Sequence, residues 1–214
     1  MVTTIPGSEI LTSGLNMISQ SLQIPVIIFL VLFAIFAVIT LGGLIAEYTS
    51  RRKISVDSLE KIIYDISNAT SNEEILNVIK NARIYESQKV ILTKVLRADS
   101  LSNEARHTLA KKLIEAEENN FAKKIEKTDI VTRIGPTLGL MGTLIPMGPG
   151  LAALGAGDVN TLANAIIVAF DTTVVGIGSG AVAYVVSKIR RRWYEEYLSD
   201  LDALTDAILD KLKT

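Results

Sequence analysis

Cysteine is absent from the 214 residues, and histidine occurs once, at His107. The first absence excludes a disulfide framework, thiolate metal sites and a cysteine nucleophile. The second argues against a multi-histidine metal site or a Ser–His relay, so no metal and no cofactor is expected. An excess of one charge is missing too. Lys plus Arg number 22 and Asp plus Glu 23, giving a formal net charge of −1 and arguing against a nucleic-acid binder. Glycine and proline are missing between Arg51 and Gly135. A helix starting near Asn103 therefore meets no breaker before the apolar stretch that follows.

The most informative absence is local. Residues 1–50 contain no Lys or Arg, and neither do residues 134–187; all 22 basic residues fall in 51–133 or 188–213. A charged fraction of 21% alongside a mean hydropathy of +0.35 thus averages two unlike populations.

What fills the uncharged stretches is long apolar sequence. Ile24 to Ala46 is 23 residues with Thr40 as its only polar member. As a helix it reaches ~35 Å, enough for a hydrocarbon core of ~30 Å. Residues 134–157 carry no charge, and residues 161–187 carry one, Asp171. Three transmembrane helices are expected, over 24–46, 134–157 and 161–187. The second is rich in glycine and proline, so a re-entrant loop is its alternative. Residues 1–23 lack a basic start, and the apolar run ends in Arg51, Arg52 and Lys53. That pattern reads as a stop-transfer flank, not a secretory signal.

The charges also give a direction. Arg51, Arg52 and Lys53 follow the first span; Lys123, Lys124, Lys127 and Arg133 precede the second; Lys188, Arg190, Arg191 and Arg192 follow the third. The positive-inside rule puts all of them in the cytoplasm, with Trp193 and Tyr194 at the interface. The segment 1–23 and the turn 155–160 then lie outside. Residues 1–23 include a candidate interfacial helix through Ile10, Leu15, Ile18 and Leu22. The domain reading is an extracytoplasmic segment 1–23, the span 24–46, a cytoplasmic helical domain 47–133, the spans 134–157 and 161–187, and a cytoplasmic amphipathic helix 188–214 in a cell-membrane protein.

Within 47–133, Ser71 and Glu74 form a candidate capping box ahead of Ile75, Val78 and Ile79. Apolar stripes follow at Leu59, Ile62, Ile63 and Ile66, at Val90, Ile91 and Val95, and at Leu109, Leu113 and Ile114. Beyond the third span, Trp193, Tyr197, Leu201, Leu204, Ile208 and Leu212 recur at helical spacing and must be buried, on residues 51–132 or on a neighbouring subunit.

The second and third spans differ in kind from the first. Gly135, Gly139 and Gly142 in one, and Gly176 and Gly180 in the other, allow close helix approach, so these spans face protein. Thr143, Asp171, Thr172 and Thr173 sit near mid-span, where an ionisable group costs at least ~2.5–3.5 kcal/mol and calls for a partner or a water-filled path. On a helical wheel Ala169, Thr173, Gly176 and Gly180 share one face, and Asp171 points roughly opposite with Ile167, Val174 and Gly178. A helix with a polar feature on both sides suits a ring around a lumen. The competing interpretations are threonines bonded to their own helix and a neutral, packed acid. The run Gly176-Ile-Gly178-Ser-Gly180 lacks the preceding strand and the Gly-Lys-Ser/Thr of a nucleotide loop.

Two stretches resemble the MotA/TolQ/ExbB proton-channel family. Pro136-Thr-Leu-Gly-Leu-Met-Gly-Thr143 is similar to its Pro-x-Leu-Gly-Leu-Leu-Gly-Thr run, and Ala169-Phe-Asp-Thr-Thr173-Val-Val-Gly176-Ile177 to its Ala-Leu-x-x-Thr-x-x-Gly-Leu run. The layout is similar to the short ExbB/TolQ branch. The resemblance implies an all-α membrane protein forming a homopentameric ring around a dimer of single-span partners of the ExbD/TolR/MotB kind. It implies conduction of H⁺ or Na⁺ to drive mechanical work or energised transport, with Thr143 and Thr173 lining the path. Two departures stand out. Val168 occupies a position where that branch often carries Glu, and Asp171, three residues on, is the candidate replacement acid. Ala181-Val182 stands where an Ile-Pro pair is favoured, leaving Pro146 and Pro149 as candidate bends. The alternative is a non-conducting scaffold that assembles a ring and recruits a partner. A membrane enzyme lacks any clustered nucleophile, metal site or acid–base pair.

Overall fold

The computed structural model describes residues 8–51 and 54–213. Arg52 and Lys53 of the basic flank, the first seven positions of segment 1–23, and Thr214 lie outside the described residues. The described residues form seven helices in order: α1 (Ser8–Ser21), α2 (Gln23–Ser50), α3 (Val56–Asn68), α4 (Asn72–Asn81), α5 (Glu86–Leu96), α6 (Asn103–Gly155) and α7 (Val159–Lys211). Among the described residues there is no strand. Three helical stretches, Ile10–Ser50, Asn103–Gly155 and Val159–Lys211, are long and apolar enough to cross a membrane. The fold is therefore all-α with three candidate spans. The second stretch is continuous helix through Pro136, Pro146 and Pro149 rather than a re-entrant loop.

The chain divides into two units. The first, apolar one takes the chain up to Ile45 together with Glu126–Ser187. On α2 only Val26, Leu30, Ala37 and Leu44 are buried, a single stripe. Val26 and Leu30 meet Ile145, with Leu138, Met141 and Val175 packed around them. The rest of α2 exposes large apolar side chains, among them Ile28, Phe29, Leu32 and Ile39. So large an exposed apolar surface is foreign to a water-soluble domain and natural against lipid.

The α6–α7 turn explains itself residue by residue. Gly157 adopts φ +85, where a side chain is disfavoured. The amide of Asp158 donates to the Ala153 carbonyl at 2.9 Å and that of Gly157 to Leu154 at 2.9 Å, the two bonds that close a helix with a left-handed residue. The Asp158 carboxylate then caps α7 by accepting from the Thr161 hydroxyl and from its amide at 3.1 Å. Those bonds hold the Asp158 carboxyl below its ordinary range.

The second unit, Ala46–Ile125 with Lys188–Thr214, is polar outside and has its own core. Ile62, Ile66, Ile75, Ile79, Ile91, Leu92 and Val95 pack with Tyr197, Leu201, Leu204 and Ile208. The C-terminal stripe of α7 is thus buried within its own chain. Val90, by contrast, is exposed, because Gln88, Ile91, Leu92 and Val95 take the inner side of α5. Ser71 caps α4 by accepting from the Glu74 amide at 3.2 Å, but the Glu74 carboxylate bonds the Thr70 amide at 2.7 Å. Only half of the reciprocal capping box forms. Buried Arg106 donates to the carbonyls of Ala98, Asp99 and Leu101, at 3.1, 3.2 and 3.3 Å, satisfying the loop between α5 and α6.

Candidate functional site: the α6–α7 hairpin of the apolar unit

The seam between α6 and α7 is built from residues without bulk. A Cβ placed on Gly176 would lie 2.6 Å from the Gly135 carbonyl oxygen and 2.7 Å from the Gly139 Cα. One on Gly139 would meet the Thr172 carbonyl at 3.1 Å, and one on Gly142 the Thr172 side chain at 2.6 Å. Gly135 faces Ser179, and Gly180 faces Pro136. All five glycines singled out by spacing therefore lie at one helix–helix contact. Pro136 offers no N–H to the Thr132 carbonyl, and Gly180 comes up against that carbonyl. Nearer the turn, Gly150 faces Ala165.

The buried side of α7 runs through Ala169, Thr172, Gly176, Ser179, Gly180, Ala183, Val186 and Ser187. Thr173 is only half-buried, so the small-residue stripe centres on Thr172 rather than on Thr173. Because Gly142 faces Thr172 and Gly139 faces Thr173, Thr143 stands nearly level with Asp171 and Thr172. Asp171 is exposed, on the side of α7 that carries Ile167, Phe170, Val174 and Ile177. Gly178 shares that side and has nothing within 4 Å.

Each hydroxyl of the seam donates to its own helix. Thr143 bonds the Leu140 carbonyl at 2.7 Å, Thr172 that of Val168 at 2.9 Å, Thr173 that of Ala169 at 2.9 Å and Ser179 that of Gly176 at 3.1 Å. This spends the proton and leaves oxygen lone pairs, which can accept a hydrogen bond or face a cation. Ser187 differs: its hydroxyl donates across the hairpin to the Asp129 carboxylate. Sequence reading missed this pair, although Asp129 and Ser187 are equidistant from the turn at Asp158.

The basic flanks make ion pairs in the polar unit. Arg51 binds Glu196, Arg190 binds Glu47 at 3.0 Å, and Arg192 reaches Glu196 at 3.4 Å. Trp193 lies tilted against Tyr48, with centroids 6.2 Å apart.

The sequence model of the MotA/TolQ/ExbB proton channel family matches residues 71–203, more than half of the chain. No curated protein matches it. The matched region contains all of α6 and α7 as far as Ala203, and leaves out α2.

Proposed function

The chain belongs to the MotA/TolQ/ExbB proton channel family, a membrane family whose name implies coupling to an ion-motive force, and from that premise we infer that it conducts H⁺ or Na⁺ as part of a motor complex. In this reading it is a transport protein and not an enzyme. Five copies form a ring around a dimer of single-span ExbD/TolR-like partners, as the resemblance to the short branch suggests. Thr143 and Thr173, with Thr172, offer hydroxyl oxygens to the passing ion, and Asp171 supplies the intramembrane acid in place of the absent Glu at Val168. Residues 47–133 and 188–214 lie in the cytoplasm.

The observation that supports this most directly is the exposure of Asp171 nearly level with Thr143. A carboxylate on an apolar span is costly against lipid, so that side of α7 calls for a partner, a neighbouring subunit or water. Hydroxyl oxygens beside it can replace part of an ion's hydration without adding fixed charge.

Flux into vesicles containing the protein and its partner tests the proposal. Thr173→Val, alone and with Thr143→Val, reduces flux to the leak of empty vesicles while the ring still assembles, and Asp171→Asn does the same or abolishes partner binding. The self-bonded hydroxyls favour a second reading, a non-conducting scaffold whose seam serves packing alone. Unchanged flux in the threonine variants would establish that second reading, and an inert Asp171→Asn would remove the acid from the mechanism.

A further inference from the structure

The polar unit holds a cavity of about 350 Å³ that the ion pathway does not use. Its lining includes Arg51, Lys124 and Glu117 with the rings of Trp193, Phe121 and Tyr197. Both cations lie over aromatic faces: Arg51 is 4.9 Å from the Trp193 ring centre and Lys124 is 5.4 Å from that of Phe121. Contact with the ring face leaves donors free, since a guanidinium carries five N–H bonds and an ammonium three. Glu47, also in the lining, is neutralised by Arg190 at 3.0 Å, and Arg51 has Glu196 as its counter-ion. Two carboxylates and two cations line the cavity, so its charge sums to zero with both signs present.

The cavity also has a definite place along the chain. Arg51 follows the last residue of α2, five residues beyond the apolar run that ends at Ala46, or ~7 Å along a helix. Trp193 lies six residues beyond Ser187 on α7, ~9 Å. The headgroup layer of a bilayer is ~5–8 Å thick beyond the hydrocarbon on each side. Along the chain the lining thus begins within about that distance of the spans, at Arg51 and Trp193, and Trp193 and Tyr48 are residue types that favour the headgroup layer. The lining at Glu117 and Tyr197 is charged and aromatic.

We propose that this cavity binds the headgroup of a zwitterionic membrane phospholipid, its phosphate taken by Arg51 and Lys124 and its ammonium by Glu117 and the aromatic walls. An anionic headgroup has less to gain, because the cavity has no net positive charge to meet it. A purely apolar occupant would cover Glu117, whose bonds from Tyr197 and Asn120 are long at 3.4 Å, and offer it no stronger donor in exchange.

The test is native mass spectrometry of the assembled protein from micelles holding equal amounts of phosphatidylethanolamine, phosphatidylcholine and phosphatidylglycerol. The zwitterionic lipids are retained about tenfold over phosphatidylglycerol, a preference worth about 1.4 kcal/mol. Lys124→Gln and Glu117→Gln each return retention to the composition of the micelle, while Lys124→Arg keeps the preference. Retention by the unmodified protein that merely mirrors the micelle, or that favours phosphatidylglycerol, overturns the proposal without relying on any variant. Free phosphoethanolamine displaces the lipid poorly; displacement at equal concentration would assign the cavity to a soluble compound and also overturn it.

Discussion

Gly176 and Gly178 are two residues apart on α7 and have opposite surroundings. A methyl group on Gly176 would collide with two backbone atoms, at 2.6 and 2.7 Å, which cannot rotate away. One on Gly178 would meet nothing within 4 Å. Gly176→Ala should therefore prise α6 from α7 and cost ~1–3 kcal/mol, the usual scale of overpacking. Gly178→Ala should cost the isolated subunit nothing and gain ~0.5–1 kcal/mol of helix propensity. Thermal unfolding of the two variants in detergent distinguishes them; equal loss from both would mean that propensity, not contact, governs this helix. The same local logic bears on the threonines. Their donors are already satisfied by their own helix, so Thr→Val at 143 or 173 removes an acceptor and little packing, which makes those variants clean probes of conduction.

At the scale of an element, α7 changes character along its length. Through Ala169, Thr172, Gly176 and Ser179 its buried side is small; through Tyr197, Leu201, Leu204 and Ile208 it is large. The first half suits direct helix contact, and the second suits a core shared with the short helices α3 to α5. Tyr197 is the polar member of the second half. Its hydroxyl exchanges a hydrogen bond with Ser87 at 2.7 Å, and buried Gln88 donates to its carbonyl at 3.1 Å. Burial, with the Glu117 charge adding to it, pushes the Tyr197 phenol up to about 12 against the Ser87 bond. The sign follows. A phenol whose folded pKa exceeds its unfolded value of about 10 contributes stability that is complete below pH ~10 and is lost as the pH rises through about 12. The α3–α5 core should thus loosen between those limits, and Tyr197→Phe should remove that part of the alkaline transition. Tyrosinate absorbance followed together with circular dichroism checks this; a transition of unchanged midpoint in the variant would contradict it.

For the whole molecule, what the sequence makes legible is what depends on spacing along one helix. The uncharged stretches mark the spans, the missing breakers carry α6 from Asn103 to Gly155, and the heptad-like stripe marks Tyr197 to Ile208. What depends on a second helix is less legible. Gln88 is fully buried by bonds to Tyr85 and Tyr197 that no periodicity announces, and Asp129 finds Ser187 across 58 positions. The hairpin glycines fall between these cases: spacing marks them, but only the register of α6 on α7 shows that Gly142 meets Thr172 and leaves Asp171 outside. Orientation is a property of neither helix nor contact but of the sorted charge, and it can be tested through the first absence noted. With no cysteine in the chain, a single introduced thiol gives an unambiguous label. Asn160 at the start of α7 and Ser199 in its polar half are both exposed. If the basic flanks are retained inside, as the positive-inside rule requires, Asn160→Cys reacts with a membrane-impermeant maleimide in intact cells. Ser199→Cys then reacts only after permeabilisation. The reverse pattern would place residues 47–133 and 188–214 outside the cell and overturn the cytoplasmic placement proposed for them.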